Sequence, residues 1–105
     1  MTADAGPAFD DIVHSPVRLR ICGILHRVDR IEFHVLRTTM EITDAHLSKN
    51  LKILVEAGYA AVTKEASRTR ADARRLTWIT ITQEGKKVFD QHVKALENIA
   101  NGIPS

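Results

Sequence analysis

A mostly helical α+β domain is predicted by three features of these 105 residues. Apolar residues recur at helical spacing, most clearly Val17, Ile21, Ile24, Leu25 and Val28, at i, i+4, i+7, i+8 and i+11. Tyr59 to Glu65 and Leu76 to Thr82 are rich in β-branched and aromatic residues and read as the two strands of a hairpin. Their connection, Ala66 to Arg75, carries Arg68, Arg70, Arg74 and Arg75 against a single acid, Asp72. A short helix that stops at Gly58 precedes the hairpin, so a compact helix and a basic loop lie next to each other along the chain.

Length and composition bound the rest. A chain of this size makes one domain and buries roughly two-thirds of its unfolded surface. The 44% of hydrophobic residues supplies one core. We expect a disordered tail over residues 1–8, the domain over 9–100 and a flexible end over 101–105. No apolar run approaches the roughly 18 residues of a membrane span. The N-terminus lacks the basic start and apolar stretch of a signal peptide, so a cytoplasmic location is expected. Cys22 is the single cysteine and cannot form an internal disulfide. The net charge is only +2, so its distribution matters more. Residues 43–75 hold seven basic against four acidic side chains, and residues 1–11 hold three acids and no base. Excess positive charge therefore gathers in the helix and loop described above, as it does where one face meets nucleic acid.

The elements follow in order. Residues 9–14 suit one or two helical turns, with Phe9, Ile12 and Val13 apolar. Ser15 before Pro16 marks a helix start, a hydroxyl N-cap and a proline whose missing N–H costs nothing there. Asp29 to Ile31 suits a very short strand or turn, and Glu32 to Thr39 the next helix, with Phe33, Leu36, Val35 and Met40 inward. Thr43 caps the third long helix, where Leu47, Leu51 and Leu54 form a narrow inward seam. Ala45, His46, Ser48, Lys49 and Lys52 point elsewhere, and Gly58 fits a left-handed helix exit. Thr82 caps a last helix over residues 83–100, about 27 Å long. Its stripe is Val88, Phe89, His92, Leu96, Ile99 and Ala100.

Three sequence words, HSPVRLRI (14–21), DAHLSKNLKILVEAGY (44–59) and ITITQEGKKVF (79–89), make the chain resemble the MarR-type winged helix-turn-helix regulators, in particular their short single-domain members. The resemblance runs from residue 9 to about residue 96. It implies a homodimeric transcription factor whose recognition helix, residues 43–57, enters the DNA major groove while the wing, residues 66–75, reaches the minor groove. It also implies that the terminal helices form the dimer. The DNA-facing residues would be Thr43, Ala45, His46, Ser48, Lys49, Lys52, Arg68, Arg70, Arg74 and Arg75. Asp44 departs from the pattern, since it stands where a phosphate would be repelled, and the helix has no arginine to read guanine bidentately.

Chemistry agrees with this assignment. Ser48 and His46 suit base edges, Lys49 and Lys52 suit guanine or phosphate, and arginines suit a narrow minor groove. An ordinary solvated helix face would look similar, so the basic hairpin tip decides in favour of duplex DNA. The apolar ends of the chain, Phe9, Ile12 and Val13 with Val88, Phe89, His92, Leu96 and Ile99, have little else to cover and suit a two-fold dimer on a palindromic operator. Two alternatives stay open: a winged helix protein–protein interaction module, and an effector- or redox-responsive sensor. Cys22 reads more simply as a small core residue. The five histidines show no metal-ligand spacing, so no metal or cofactor is expected. No nucleophile elbow, phosphate loop or carboxylate pair appears, so no enzyme is expected.

Overall fold

Every helix begins on a side chain suited to end it. A computed structural model describes residues 6–66 and 75–103, with α1 (Pro16–Leu25), β1 (Ile31–Glu32), α2 (Phe33–Met40), α3 (Asp44–Glu56), β2 (Ala60–Ala66), β3 (Arg75–Ile81) and α4 (Gln83–Ala100). The Ser15 hydroxyl accepts from the Arg18 amide at 3.3 Å, Thr43 from His46 at 3.1 Å, and Thr82 from Gly85 at 3.0 Å. Glu32 caps α2 with its carboxylate, which accepts from the His34 amide at 3.1 Å. Each such cap is worth on the order of 1 kcal/mol.

Of the one or two helical turns expected over residues 9–14, a single turn forms. It is closed by the His14 amide on the Asp10 carbonyl at 2.9 Å and the Val13 amide on the Asp10 carboxylate at 2.9 Å. Pro16 explains the stop. The residue before a proline is driven out of helical space, and Ser15 is extended at φ −153°, ψ 132°. Four helices therefore remain, and the N-terminal element stops at this one turn.

The strands form one antiparallel sheet in the order β1-β3-β2. Ile79 lies opposite both Ile31 and Val62, and Ala60 opposite Ile81. Ile79 and Ile81 face the core with Leu36, Leu47, Leu54, Ile21 and Leu25, all buried. Each fully buried leucine or isoleucine contributes roughly 1.5–3 kcal/mol of transfer free energy. Two apolar residues assigned inward are not. α1 ends at Leu25, so Val28 falls beyond the buried face and is 40% exposed. Val35 lies on the outer side of α2 and is 53% exposed.

Glycine is required at two joints. Gly58 exits α3 at φ +85°, where a Cβ is disfavoured. Gly85 sits in the first turn of α4 against the Tyr59 carbonyl, and a Cβ there would lie 2.1 Å from that oxygen. The Thr82 amide and hydroxyl bind the Tyr59 and Gly58 carbonyls at 3.0 and 2.6 Å, so α4 is fastened to the exit of α3. No helix of the described residues is long and apolar enough to cross a membrane.

Of the expected tail, residues 1–5 lie outside the described residues, and Ala8 is tied down by its amide on the Gln91 carbonyl at 3.0 Å.

Candidate nucleic-acid interface

α2 and α3 meet at a tight turn that gives α3 one buried and one open side. Glu41 ends α2 in the left-handed region (φ 56°, ψ 46°), and Thr43 caps α3 two residues later. Leu47, Leu51 and Leu54 are 0–5% exposed and hold the helix to the core. On the other side Thr43, Ala45, His46, Ser48, Lys49 and Lys52 are all exposed, as the sequence predicted. They offer hydroxyl, imidazole and ammonium groups along one surface.

Asp44 at the start of this surface is in ionic contact with Arg37 of α2 at 2.8 Å. Its charge is therefore offset locally, and it also sits at the positive end of the α3 dipole. The repulsion it would offer a phosphate is reduced accordingly.

The hairpin stands beside α3. Its core-facing side, Ala60, Val62 and Lys64 on β2 with Ile81, Ile79 and Thr77 on β3, follows from the register. Ala60 and Ile81 are buried, whereas Val62 is 38% exposed, so the same face leaves the core as the strands rise. There it becomes one wall of a cavity of about 600 Å³. Ser48, Leu51, Lys52, Val55 and Glu56 of α3 form the opposite wall, and Phe33 and His34 close one end. On the far side of the sheet Arg30 stacks over Trp78 at 3.9 Å and pairs with Glu65 at 3.0 Å, bracing the hairpin toward its connection. Arg75 is exposed at the first position of β3, opposite Ala66. Arg68, Arg70 and Arg74 lie outside the described residues.

The predicted apolar face at the chain ends divides. Phe9 is 48% and Ile99 58% exposed, with Ile103 at 52% beyond the helix. Ile12, Phe89 and Leu96 are half-buried. Val13, Val88 and His92 are covered by the chain's own core and offer no surface to a second copy. They pack inward because the N-terminal turn folds back on α4.

His92, which was expected on an outer stripe, is the centre of that fold-back. Its Nδ1 accepts from the Asp10 amide at 3.0 Å, so the neutral ring carries its proton on Nε2, facing His14 Nδ1 at 3.3 Å. Burial, followed by the neighbouring His14, holds its pKa below the usual 6.5 despite Asp10 and Asp11. Asp10 also accepts from the Tyr59 hydroxyl at 2.7 Å. Burial, then that bond, raises the Tyr59 pKa to about 12.

Cys22 lies fully inside the core, and burial, then Asp10, pushes its thiol up to about 11. Burial and a raised pKa both lower the reactivity of this thiol at neutral pH. Among the described residues no cluster of histidine, cysteine and carboxylate side chains could hold a metal ion.

Sequence reasoning passed over Arg18 and Asn50, which prove to be joined, and Lys64, which faces the cavity. Asn50 is 5% exposed at i+3 from Leu47, inside the leucine seam. Helical periodicity alone could have marked it as a buried polar residue needing a partner.

Comparison with known proteins agrees with this architecture. A protein of Methanocaldococcus jannaschii described only as uncharacterized is 28% identical over 92 residues, covering 88% of this chain and 96% of that protein. The solved structure of a transcriptional regulator homologue from Pyrococcus horikoshii OT3 superposes with a TM-score of 0.79 at 22% identity, covering 87% of this chain and 86% of that one. At that identity the likeness is one of fold. Residues 17–100 match the family described as winged helix DNA-binding domain, which is not an enzyme class. With α2, the tight turn, α3 and the β2–β3 wing in that order across the match, the chain belongs to the winged helix DNA-binding domain family.

Proposed function

We propose that this protein is a sequence-specific regulator of transcription of the short MarR type, binding duplex DNA as a homodimer. α3 enters the major groove and the wing reaches the minor groove. The observation that carries the reading is the division of α3. Its leucines are wholly committed to the core, while His46, Ser48, Lys49 and Lys52 stand free beside a hairpin whose connection holds Arg68, Arg70, Arg74 and Arg75. Ser48 and His46 read base edges, the lysines meet guanine or phosphate, and the arginines follow the narrow groove.

Dimerisation is supported by apolar surface that the single chain leaves open. Ile99 near the end of α4, Ile103 beyond it and Phe9 are left largely exposed by the described residues, and a partner would cover them. A two-fold pair of α3 helices calls for a palindromic operator with half-sites about 34 Å apart. Repression by promoter occlusion is the proposed outcome, because a dimer bound at a promoter blocks the DNA it covers.

Sequencing of genomic fragments retained by the purified protein tests this reading, and a palindromic motif is the expected result. Replacing Arg68, Arg70, Arg74 and Arg75 with glutamine should abolish retention. Undiminished retention would show that the wing arginines do not carry DNA binding, and no retention by the parent protein would favour a protein-docking module.

One observation favours a second layer of control. The cavity between α3 and the wing has a size common for small-molecule sites and an apolar lining of Phe33, Leu51, Val55 and Val62. An occupant would sit against Ser48 and Lys52 and compete with DNA. Thermal shifts against a panel of small organic acids and bases test this, and a compound that both raises Tm and releases DNA is the supporting result.

A further inference from the structure

Arg18 of α1 is half-buried and bonded in two directions. Its Nε donates to the Ile12 carbonyl at 2.6 Å, and Nη1 donates to Asn50 Oδ1 at 2.8 Å. Asn50 cannot swing freely, because its Nδ2 donates to the His46 carbonyl one turn earlier at 3.0 Å. The side-chain amide is thereby held at both ends.

Asn50 lies among Leu47, Leu51 and Leu54, and leucine contacts alone fix α3 poorly. Apolar packing is non-directional and tolerates small slides and rotations. A charge-assisted hydrogen bond is directional and short. A buried polar group in an apolar seam commonly fixes register rather than adding stability.

We infer that Arg18 is a positioning residue for the DNA-reading helix. Its guanidinium locks the rotation and axial setting of α3 through Asn50, so that His46, Ser48, Lys49 and Lys52 meet the groove in one orientation. It takes that setting from the N-terminal turn. Ile12 belongs to the segment that Asp10 fastens to His92 of α4 and to Tyr59. The proposed dimer region and the reading helix thus share one guanidinium. The inference rests on the DNA-binding reading above.

The test uses the full chain and two labelled duplexes, one carrying the motif recovered from genomic fragments and one a scrambled version. Asn50→Leu fills the seam without a polar partner, and Arg18→Met removes the donor while keeping the stem. Each should weaken binding to the motif by about tenfold while leaving scrambled-duplex binding and its salt dependence within about twofold. The double variant should be no worse than the weaker single, since both remove one linkage. Arg18→Lys, which keeps one donor reach, should recover part of the discrimination. The double variant, which replaces both partners by apolar side chains, should keep its Tm, so lost discrimination there cannot be ascribed to lost folding.

In the free protein, amide resonances of residues 45–52 should move or broaden in Asn50→Leu. Equal losses on both duplexes, losses that track Tm, or unmoved α3 resonances would each overturn the positioning role. Should the parent protein bind neither duplex, the DNA-binding reading fails instead, and the α3 resonances still decide whether Arg18 sets the helix.

Discussion

Neutralising Lys49 and Lys52 offers a quantitative test of the interface, because both side chains stand exposed on α3 and neither has an ion-pair partner among the described residues. Each phosphate contact contributes about 0.9 to the slope of log K against log salt. If each half of a dimer neutralises about four phosphates, the parent slope is near −7, a loss of roughly 10⁴ in affinity between about 50 and 200 mM salt. Lys49→Gln with Lys52→Gln removes two contacts per copy and four per dimer. The slope should then fall by about 3.6, to roughly −3.5, and the loss over the same range to about 10². Fluorescence anisotropy of a labelled operator duplex across a salt series reads both numbers. A change of about 1.8 from a parent slope near −3.6 would mean that one copy binds at a time, whereas the same change from about −7 would mean that one lysine per copy meets phosphate. An unchanged slope would show that these lysines do not meet phosphate, and the assigned orientation of α3 would be wrong.

Other outcomes follow from single sites. Gly85→Ala places a methyl on the Tyr59 carbonyl and the Ile81 side chain, and should cost about 1–3 kcal/mol, read as a lower midpoint in urea. His92 has a folded-state pKa below its unfolded value, so its contribution to stability is complete above about pH 6.5 and is lost as pH falls through the folded value. Tm should therefore drop on acidification from neutral pH, and His92→Asn should flatten that part of the profile; an unaltered profile would show that another group governs it. The Cys22 thiol should resist iodoacetamide at neutral pH until the chain unfolds, and reaction of the folded protein at the rate of a free thiol would contradict its burial.

The sequence was most legible where structure is local. The caps at Ser15, Thr43 and Thr82, the left-handed exit at Gly58 and the leucine seam of α3 each depend on neighbours within about a turn, and each stands where periodicity and capping rules put it. What stayed hidden depends on distant partners. His92 looked like part of an outer stripe because nothing near it shows that Asp10, 82 residues away, donates to it. Arg18 drew no reading from the sequence because its partner Asn50 is 32 residues further on. Val28 and Val35 show a different limit: apolar character places a residue near a buried face, but where the helix ends and how it is rotated decide whether the face includes it. On the outer side of α3 the residues could be named from the sequence, whereas the cavity they share with Val62 and Lys64 depends on hairpin register.

A weak net charge is compatible with a basic hairpin connection because several of the acids are engaged elsewhere in the chain. Asp10 caps the N-terminal turn and accepts from Tyr59, Glu32 caps α2, Glu65 pairs with Arg30 across the sheet, and Asp44 is held by Arg37. Each of these carboxylates is occupied inside the chain, while Lys49 and Lys52 have no such partner. Exposed ion pairs contribute little to stability, so the pairing of the acids does more for the local field than for folding. Within α3, Lys49 and Lys52 only balance Asp44 and Glu56 in number, so the positive excess of residues 43–75 comes from Lys64 and the arginines at 68, 70, 74 and 75, in a protein whose total charge is only +2. A duplex approaching from any side would find its phosphates favoured chiefly at the arginine-bearing wing, which favours docking in one orientation before any base is read.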